Sequence, residues 1–268
     1  MRKATQQGFT LIELLIVIGL LGALTALVLP SLSADREEAL GSVCDYNQAG
    51  TVRTLKQYSN VFGLYPNQFH TGLTAETVTD STANGTVMDG IPSAQNANLG
   101  HLAPANYIIN LSPDQVGSLS AAGITDFAYG DGYNIVSVNG TAPVLSIYDG
   151  TNTWKDDSDP ADDYTFDGAT VADWEAGTGP DGRAGEVICL WITPTLDWSV
   201  NQESANKDWT GGNLEMEISL EGQCPIPAEG ISGDPEFAYY MAYFKVYSDG
   251  TAAKLIGTSC PECGIMNP

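Results

Sequence analysis

The feature that most constrains this chain is an apolar run near its start, from Phe9 to Leu29. The run contains one charged residue, Glu13, close to its beginning. As a helix with a rise of about 1.5 Å per residue it would be roughly 30 Å long, which is enough to cross the hydrocarbon core of a bilayer. The sequence therefore predicts a membrane-spanning helix in residues 9–29.

The polar residues before this run set its orientation. Arg2 and Lys3 lie there, and basic residues beside a span keep that end in the cytoplasm, so the chain from Pro30 onward is predicted to face the far side. A cleaved secretory signal has small residues after its apolar core, whereas the small residue here, Gly8, precedes the core. A carboxylate inside a span costs at least about 2.5–3.5 kcal/mol, so Glu13 needs a partner.

The residues around Glu13 resemble a known processing site. Their sequence, GFTLIE at residues 8–13, is similar to the cleavage motif of type IV prepilins and of the pseudopilins of type II secretion. In that family a prepilin peptidase cuts after the glycine and methylates the new N-terminal phenylalanine. The fifth mature residue is a glutamate that pairs with the N-terminal amine of a neighbouring subunit. The resemblance implies cleavage after Gly8, methylation of Phe9 and assembly through Glu13, with Pro30 where many members have a kinking proline.

The helix is predicted to continue well beyond the apolar run. Apolar residues recur near helical spacing from Leu32 to Phe62, with charged residues between them. Pro30 removes one backbone donor and is expected to kink the helix rather than end it, while Tyr65-Pro66 stops it. The predicted divisions are a leader at 1–8, a transmembrane and filament-core half-helix at 9–29, an amphipathic half-helix at 30–62 and a globular domain at 63–268.

The globular domain is predicted to begin with a loop region, 63–125, and to continue as a β-sheet region, 126–268. Within the loop region, Ser112 is expected to cap a short helix that begins at Pro113. Residues 133–138 and 144–148 alternate in polarity around Asn139-Gly140, which predicts a hairpin. Further strands are predicted at 186–193, 214–220, 237–247 and 251–256. The fold class is α+β: a long N-terminal helix packed against a mainly antiparallel sheet, as in pilins.

An acidic insertion, residues 155–183, is the main candidate for metal binding. Calcium takes six to eight oxygen ligands, which a loop so dense in carboxylates could supply, and the resemblance adds that major pseudopilins use a calcium-bound loop. The spacing does not fit the EF-hand pattern, so a calcium site and a solvated acidic loop both stay open. The candidate ligands are Asp156, Asp157, Asp159, Asp162, Asp163 and Asp167.

Five cysteines lie on the predicted exported side, where disulfides persist. Cys260 and Cys263 lack a second cysteine pair at zinc-ribbon spacing, which favours a structural clasp over a metal site. The predicted disulfide joins Cys224 to Cys260 or Cys263. Cys44 falls on the helix, as a buried thiol or as an intermolecular link.

Charge and motif content exclude several functions. The formal charge of −23 argues against a surface that neutralises nucleic-acid phosphates. The chain has two histidines and carries no recognisable catalytic or phosphate-binding motif, so it is predicted not to be an enzyme.

The resemblance to pilins implies a structural subunit of a pilus or pseudopilus. Its partners would be copies of itself, related pilins, the prepilin peptidase and methylase, and an inner-membrane assembly platform. Before assembly it would be a single-pass inner-membrane protein with a cytoplasmic N-terminus, and afterwards a periplasmic or extracellular filament. The alternatives are a minor or tip pilin with a binding domain, or a membrane-anchored binding protein or enzyme that never polymerises.

Overall fold

The computed structural model describes residues 11–73, 108–129, 134–138, 143–146, 165–193, 195–198, 223–229, 235–260 and 266–267. The chain divides into two compact units, Met1–Ser42 and Val43–Pro268. The predicted leader, with Gly8 and Phe9, lies outside the described residues, as does the strand predicted at 214–220.

One long helix, α1 (Leu11–Phe62), opens the described chain. Its backbone stays helical through Pro30, which confirms that this proline does not end the helix. The helix ends close to the predicted position. Gly63 follows it with a φ of 77°, the left-handed conformation that glycine adopts after a helix C-terminus, and its N–H donates to the Ser59 carbonyl at 2.8 Å.

The second half of α1 packs on the sheet of the larger unit. Its buried residues recur every three or four positions, as expected for one face of a helix. Gln48 Nε2 donates to Thr258 Oγ1 at 3.2 Å, and the Tyr240 hydroxyl donates to the Cys44 carbonyl at 3.3 Å. The predicted packing of the helix against a sheet is therefore confirmed for residues 44–58, which belong to the larger unit. The buried residues are Cys44, Gln48, Thr51, Val52, Leu55 and Tyr58.

Within the described residues, two short helices accompany the sheet. The first, α2 (Pro113–Ala121), begins as predicted: Ser112 Oγ accepts from the Gln115 N–H at 3.3 Å, and Gln115 Oε1 accepts from the Ser112 N–H at 2.8 Å. This reciprocal pair satisfies two N–H groups that a helix start leaves unpaired. The second, α3 (Val171–Ala176), lies in the acidic insertion and ends at Gly177.

Nine strands of the described part of the chain form one sheet at the centre of the larger unit. They are β1 (Phe69–His70), β2 (Ile108–Asn110), β3 (Asp126–Tyr129), β4 (Asn134–Ser137), β5 (Pro143–Ser146), β8 (Glu186–Trp191), β11 (Met241–Val246), β12 (Lys254–Ser259) and β13 (Met266–Asn267). The main path runs β13-β12-β11-β8-β1-β3-β4, and β5 joins β8 while β2 pairs with β5. All of these pairs are antiparallel except β1 with β3, so the mainly antiparallel sheet is confirmed.

The residues that the structure describes also form two small two-stranded sheets. One pairs β9 (Gln223–Glu229) with β10 (Pro235–Tyr239), and the other pairs β6 (Thr165–Phe166) with β7 (Ala169–Thr170). The single strand predicted at 237–247 is thus two strands, which separate at Tyr240.

The predicted hairpin is wrong in its pairing. Both strands exist, but β4 pairs with β3, and β5 pairs with β2 and β8. Burial explains the difference: every residue of β5 is buried, whereas β4 is mostly exposed at the end of the main path. The apolar strand therefore gains more by pairing next to β8 in the core than with its exposed sequence neighbour.

Candidate assembly segment and charged insertion

The first turns of α1 expose apolar side chains on every side. Residues 14–18 are five consecutive apolar positions, and at 3.6 residues per turn they surround the helix completely. Val17, the least exposed of the large apolar side chains here, is still 51% exposed. A helix that is apolar all round is buried in its working environment. The exposed side chains are Leu11, Ile12, Leu14, Leu15, Ile16, Val17, Ile18, Leu20 and Leu21.

Glu13 lies in the first turn of α1 and is exposed. A carboxylate at this end is favourable because unpaired backbone N–H groups give a helix N-terminus a partial positive charge. Of the predicted processing and assembly residues, Glu13 and the backbone of Pro30 are described, while Gly8 and Phe9 are not.

The predicted membrane-spanning segment, residues 9–29, is described only in part. Residues 9 and 10 lie outside the described chain, and so do the side chains of residues 23–38. Among the residues that the structure does describe, no helix combines the length and the apolar character needed to cross a membrane.

Cys44 is disulfide-bonded, and it is fully buried on the sheet-facing side of α1. Of its two predicted roles, the buried thiol is therefore correct in its burial but wrong in its oxidation state. Its position on a helix carries no sign of the chain segment it meets in the fold, so sequence reasoning did not find this bond.

Cys189 and Cys260 are buried thiols. The predicted pairing of Cys224 with Cys260 is therefore wrong. Cys260 directly follows β12 and packs in the apolar core. The alternative pairing of Cys224 with Cys263 falls on side chains outside those described. Burial raises the pKa of the Cys189 thiol well above its ordinary value, which keeps it protonated and unreactive.

The acidic insertion is described from Thr165 onward. Asp167 is exposed at the turn between β6 and β7, while the other five candidate calcium ligands lie outside the described residues. No group of three or more metal-binding side chains occurs within the described ranges. The calcium site stays a prediction for the residues before Thr165.

Two carboxylates of the insertion serve its own fold. Asp173 accepts from the Thr170 N–H at 3.1 Å and from Thr170 Oγ1 at 2.8 Å, which caps α3 and lowers the pKa of Asp173. Asp181 follows α3, and its Oδ2 accepts a hydrogen bond from the Tyr247 hydroxyl at 2.7 Å. Acidity in this segment is therefore not by itself a sign of metal binding.

A buried cation on β11 holds the insertion against the sheet. Lys245 is fully buried, and its Nζ donates to Asp181 Oδ1 at 2.9 Å and to the Arg183 carbonyl. The ring centroids of Trp174 and Tyr247 lie 5.2 Å and 5.5 Å from Nζ, within cation–π range. These five residues are called the Lys245 cluster below. Burial opposes ionisation of Asp181, but the hydrogen bonds from Lys245 and Tyr247 outweigh it and lower its pKa.

The Lys245 cluster was missed by sequence reasoning, although one signal was available. The strand MAYFKV carries a single charge among apolar residues, and every one of its six positions is buried. A lysine at such a position must meet an anion, because an isolated buried charge costs several kcal/mol.

Two glutamates lie half-buried beside the cluster. Burial, reinforced by the charge of Glu186, raises the pKa of Glu175 to about 8, although the Val187 N–H donates to it at 3.2 Å. Burial also raises the pKa of Glu186, against a hydrogen bond with Ser146. Near neutral pH Glu175 is therefore largely protonated in the folded protein.

A Glu175→Gln variant should reveal this shift as a pH-dependent stability difference. The pKa of Glu175 rises from 4.5 in the unfolded chain to about 8 in the fold. The stability that Glu175 contributes is therefore fully present below its unfolded pKa and is lost as pH rises through its folded pKa. We expect the variant, which cannot ionise, to gain melting temperature over the native protein between about pH 5 and pH 9. If the difference in melting temperature between the two proteins stays constant across that pH range, the raised pKa of Glu175 is contradicted.

Comparison with known proteins gives one match. The chain matches the family model described as the prokaryotic N-terminal methylation motif over residues 3–29. No curated protein and no solved structure matches the chain significantly. The match covers the apolar run, the cleavage motif and Glu13, and it supports the resemblance drawn from the sequence. The chain therefore carries, over residues 3–29, a prepilin-type N-terminal methylation motif, which supports its likeness to type IV pilin and pseudopilin precursors.

Proposed function

We propose that the chain is a structural subunit of a type IV pilus or a type II secretion pseudopilus. Prepilin peptidase cleaves it after Gly8, Phe9 is methylated, and the subunit assembles through its N-terminal helix. The observation that carries the proposal is the methylation motif at residues 3–29. The apolar side chains exposed all round the start of α1 support it, because a filament core built from such helices would cover them.

Before assembly the precursor is held in the inner membrane by residues 9–29, with its N-terminus in the cytoplasm. After cleavage it leaves that membrane in the company of other subunits, on an inner-membrane assembly platform. The larger unit, Val43–Pro268, then faces outward in the periplasm or outside the cell.

A charge pair between neighbouring subunits sets their axial offset in this assembly. Cleavage before Phe9 creates an ammonium group at the end of the helix, and Glu13 lies four residues further along. Four residues of α-helix rise about 6 Å, so a neighbour shifted along the axis can bring its ammonium group beside Glu13. Pairing neutralises both charges inside an apolar core, where either charge alone would cost several kcal/mol.

A minor or tip subunit with a binding domain is the second candidate. It is favoured by the size of the larger unit, whose described residues alone form a nine-stranded sheet, two additional strand pairs and an insertion that folds against the sheet. Copy number separates the candidates, since a major subunit accounts for most of the mass of a purified filament and a tip subunit does not.

Mass spectrometry of the mature N-terminus tests the proposal. We expect purified protein from the native host to begin at Phe9 with one added methyl group, because prepilin peptidase cuts after the glycine in the motif that GFTLIE resembles, and that glycine is Gly8 here. A chain that still begins at Met1, or that is cut after the apolar run, would overturn the proposal. A Gly8→Leu variant provides the control: it should keep the leader while its larger unit folds unchanged.

A further inference from the structure

The Lys245 cluster brings an amine and a carboxyl group into contact where water is largely excluded. The Lys245 side chain is 0% exposed and that of Asp181 is 11% exposed. Nζ and Oδ1 lie 2.9 Å apart in a hydrogen-bonded ion pair, so the amine is held beside the carboxyl group whose carbon it would attack. We propose that these side chains condense after folding, so that the mature protein carries an isopeptide bond from Lys245 Nζ to Asp181 Cγ.

The ion pair already holds the atoms of an amide and one water molecule. One proton moves from Nζ to Oδ1, and the freed Nζ lone pair attacks Cγ to form the Nζ–Cγ bond. A second proton moves from Nζ to Oδ1, the Cγ–Oδ1 bond breaks, and water leaves. The step needs no oxidant, cofactor or activated ester.

The neighbouring groups are placed to assist this step. The Tyr247 hydroxyl donates to Oδ2, the oxygen that stays in the amide, at 2.7 Å. Negative charge develops on that oxygen when Nζ attacks, and a donor already in place stabilises it. The Arg183 carbonyl accepts a second hydrogen bond from Nζ and fixes the amine, while the Trp174 ring borders Nζ at 5.2 Å.

Burial makes the condensed state favourable. In water, hydrolysis wins over condensation, but groups held in contact act at effective concentrations of roughly 10⁵–10⁸ M. A site that excludes water also slows the reverse reaction. Condensation replaces a buried ion pair, which is costly to desolvate, with a neutral amide. Before the reaction the two side chains form an ion pair, because the hydrogen bonds to Asp181 favour its ionised form. A proton must first move from Nζ to Oδ1, so bond formation is slow compared with folding.

The product would tie the acidic insertion to the central sheet. Asp181 and Lys245 are 64 residues apart in sequence, and Lys245 lies on β11, which pairs with β8 and β12. A covalent bond at this point keeps the segment after α3 on the sheet under tension or protease attack.

Peptide mapping of the full-length processed protein, extracted in detergent and reduced, tests the inference. We expect an intact mass lower by one water than the mass calculated for the chain with the N-terminus that its own N-terminal peptide shows, and a branched tryptic peptide that joins Lys245 to Asp181. Trypsin should not cut after Lys245, because its amine is acylated. Linear peptides at full mass would overturn the inference.

A loss of water could also arise at Asp181 without Lys245, because Asp181 is followed by Gly182. An aspartate before glycine can lose water by closing a succinimide on its own backbone, which yields the same mass change. In that case Lys245 stays a normal tryptic site and the loss is confined to a linear peptide. That outcome would also overturn the inference.

Two variants sharpen the test. Lys245→Arg keeps the positive charge but cannot form the amide, so its mass should show no water loss. Tyr247→Phe removes the donor to Oδ2, and we expect bond formation after refolding to be about 100-fold slower. If the bond forms at the same rate in this variant and in the native protein, Tyr247 does not assist the reaction. If either variant fails to fold, the peptide map of the native protein decides alone.

Discussion

Replacing Glu13 by Ala is expected to leave the precursor in the membrane and to remove it from filaments. The apolar run that holds the membrane is unchanged, and loss of a charge makes its insertion easier. In the filament core, however, the ammonium group of Phe9 would have no carboxylate beside it. Breaking a buried pair costs about 3–5 kcal/mol, and 1.4 kcal/mol is a factor of ten, so each contact should weaken at least about 100-fold. Immunoblots of sheared filaments and of membranes measure both outcomes.

A Glu13→Gln variant separates charge from shape at the same position. Glutamine keeps the length of Glu13 and one acceptor oxygen but not its charge, so this variant should also be retained in the membrane and excluded from filaments. If filaments contain either variant at the native level, the charge pair does not drive assembly. The reading as an anchored protein that never polymerises would then gain support.

The long helix was predictable because its signals are local. The apolar run, the periodicity up to Phe62 and the stop at Tyr65-Pro66 each depend on neighbouring residues, and α1 ends at Phe62. The same holds for the cap of α2 at Ser112, where one side chain and the residue three positions later satisfy each other.

Strand pairing was less predictable because it depends on distant residues. The turn signal at Asn139-Gly140 favours a local hairpin, yet β5 lies between β2 and β8, with Leu145 opposite Cys189. The positions of the strands could be predicted from composition. Their pairing partners depend on burial: β5, which is buried on both faces, pairs next to β8 in the core. Periodicity within a single strand does not contain that information.

The polar contacts of the larger unit were hardest to foresee. Asp181 appeared as one of many acidic residues in an insertion, and Lys245 as one residue of an aromatic strand. Their contact links positions 64 residues apart. The Cys44 disulfide escaped for the same reason, since a helical position does not show which segment of the fold it meets.

Gly72→Ala is expected to destabilise the larger unit strongly. Gly72 follows β1 with a φ of 72°, a conformation that costs other residues about 1–2 kcal/mol. A Cβ at this position would also overlap the ring of Trp191, which is fully buried at the end of β8. Forcing extra volume into a packed core costs about 1–3 kcal/mol more, so the total should reach about 2–5 kcal/mol.

Gly63→Ala supplies the matched control because it carries the conformational cost without the overlap. Gly63 has a φ of 77°, and no atom lies within 4 Å of the position a Cβ would take. Its cost should therefore be only about 1–2 kcal/mol. Melting temperatures of the two variants in the same detergent give the comparison. Equal losses would mean that the Trp191 ring can move aside, and that the end of β8 is less tightly packed than its complete burial indicates.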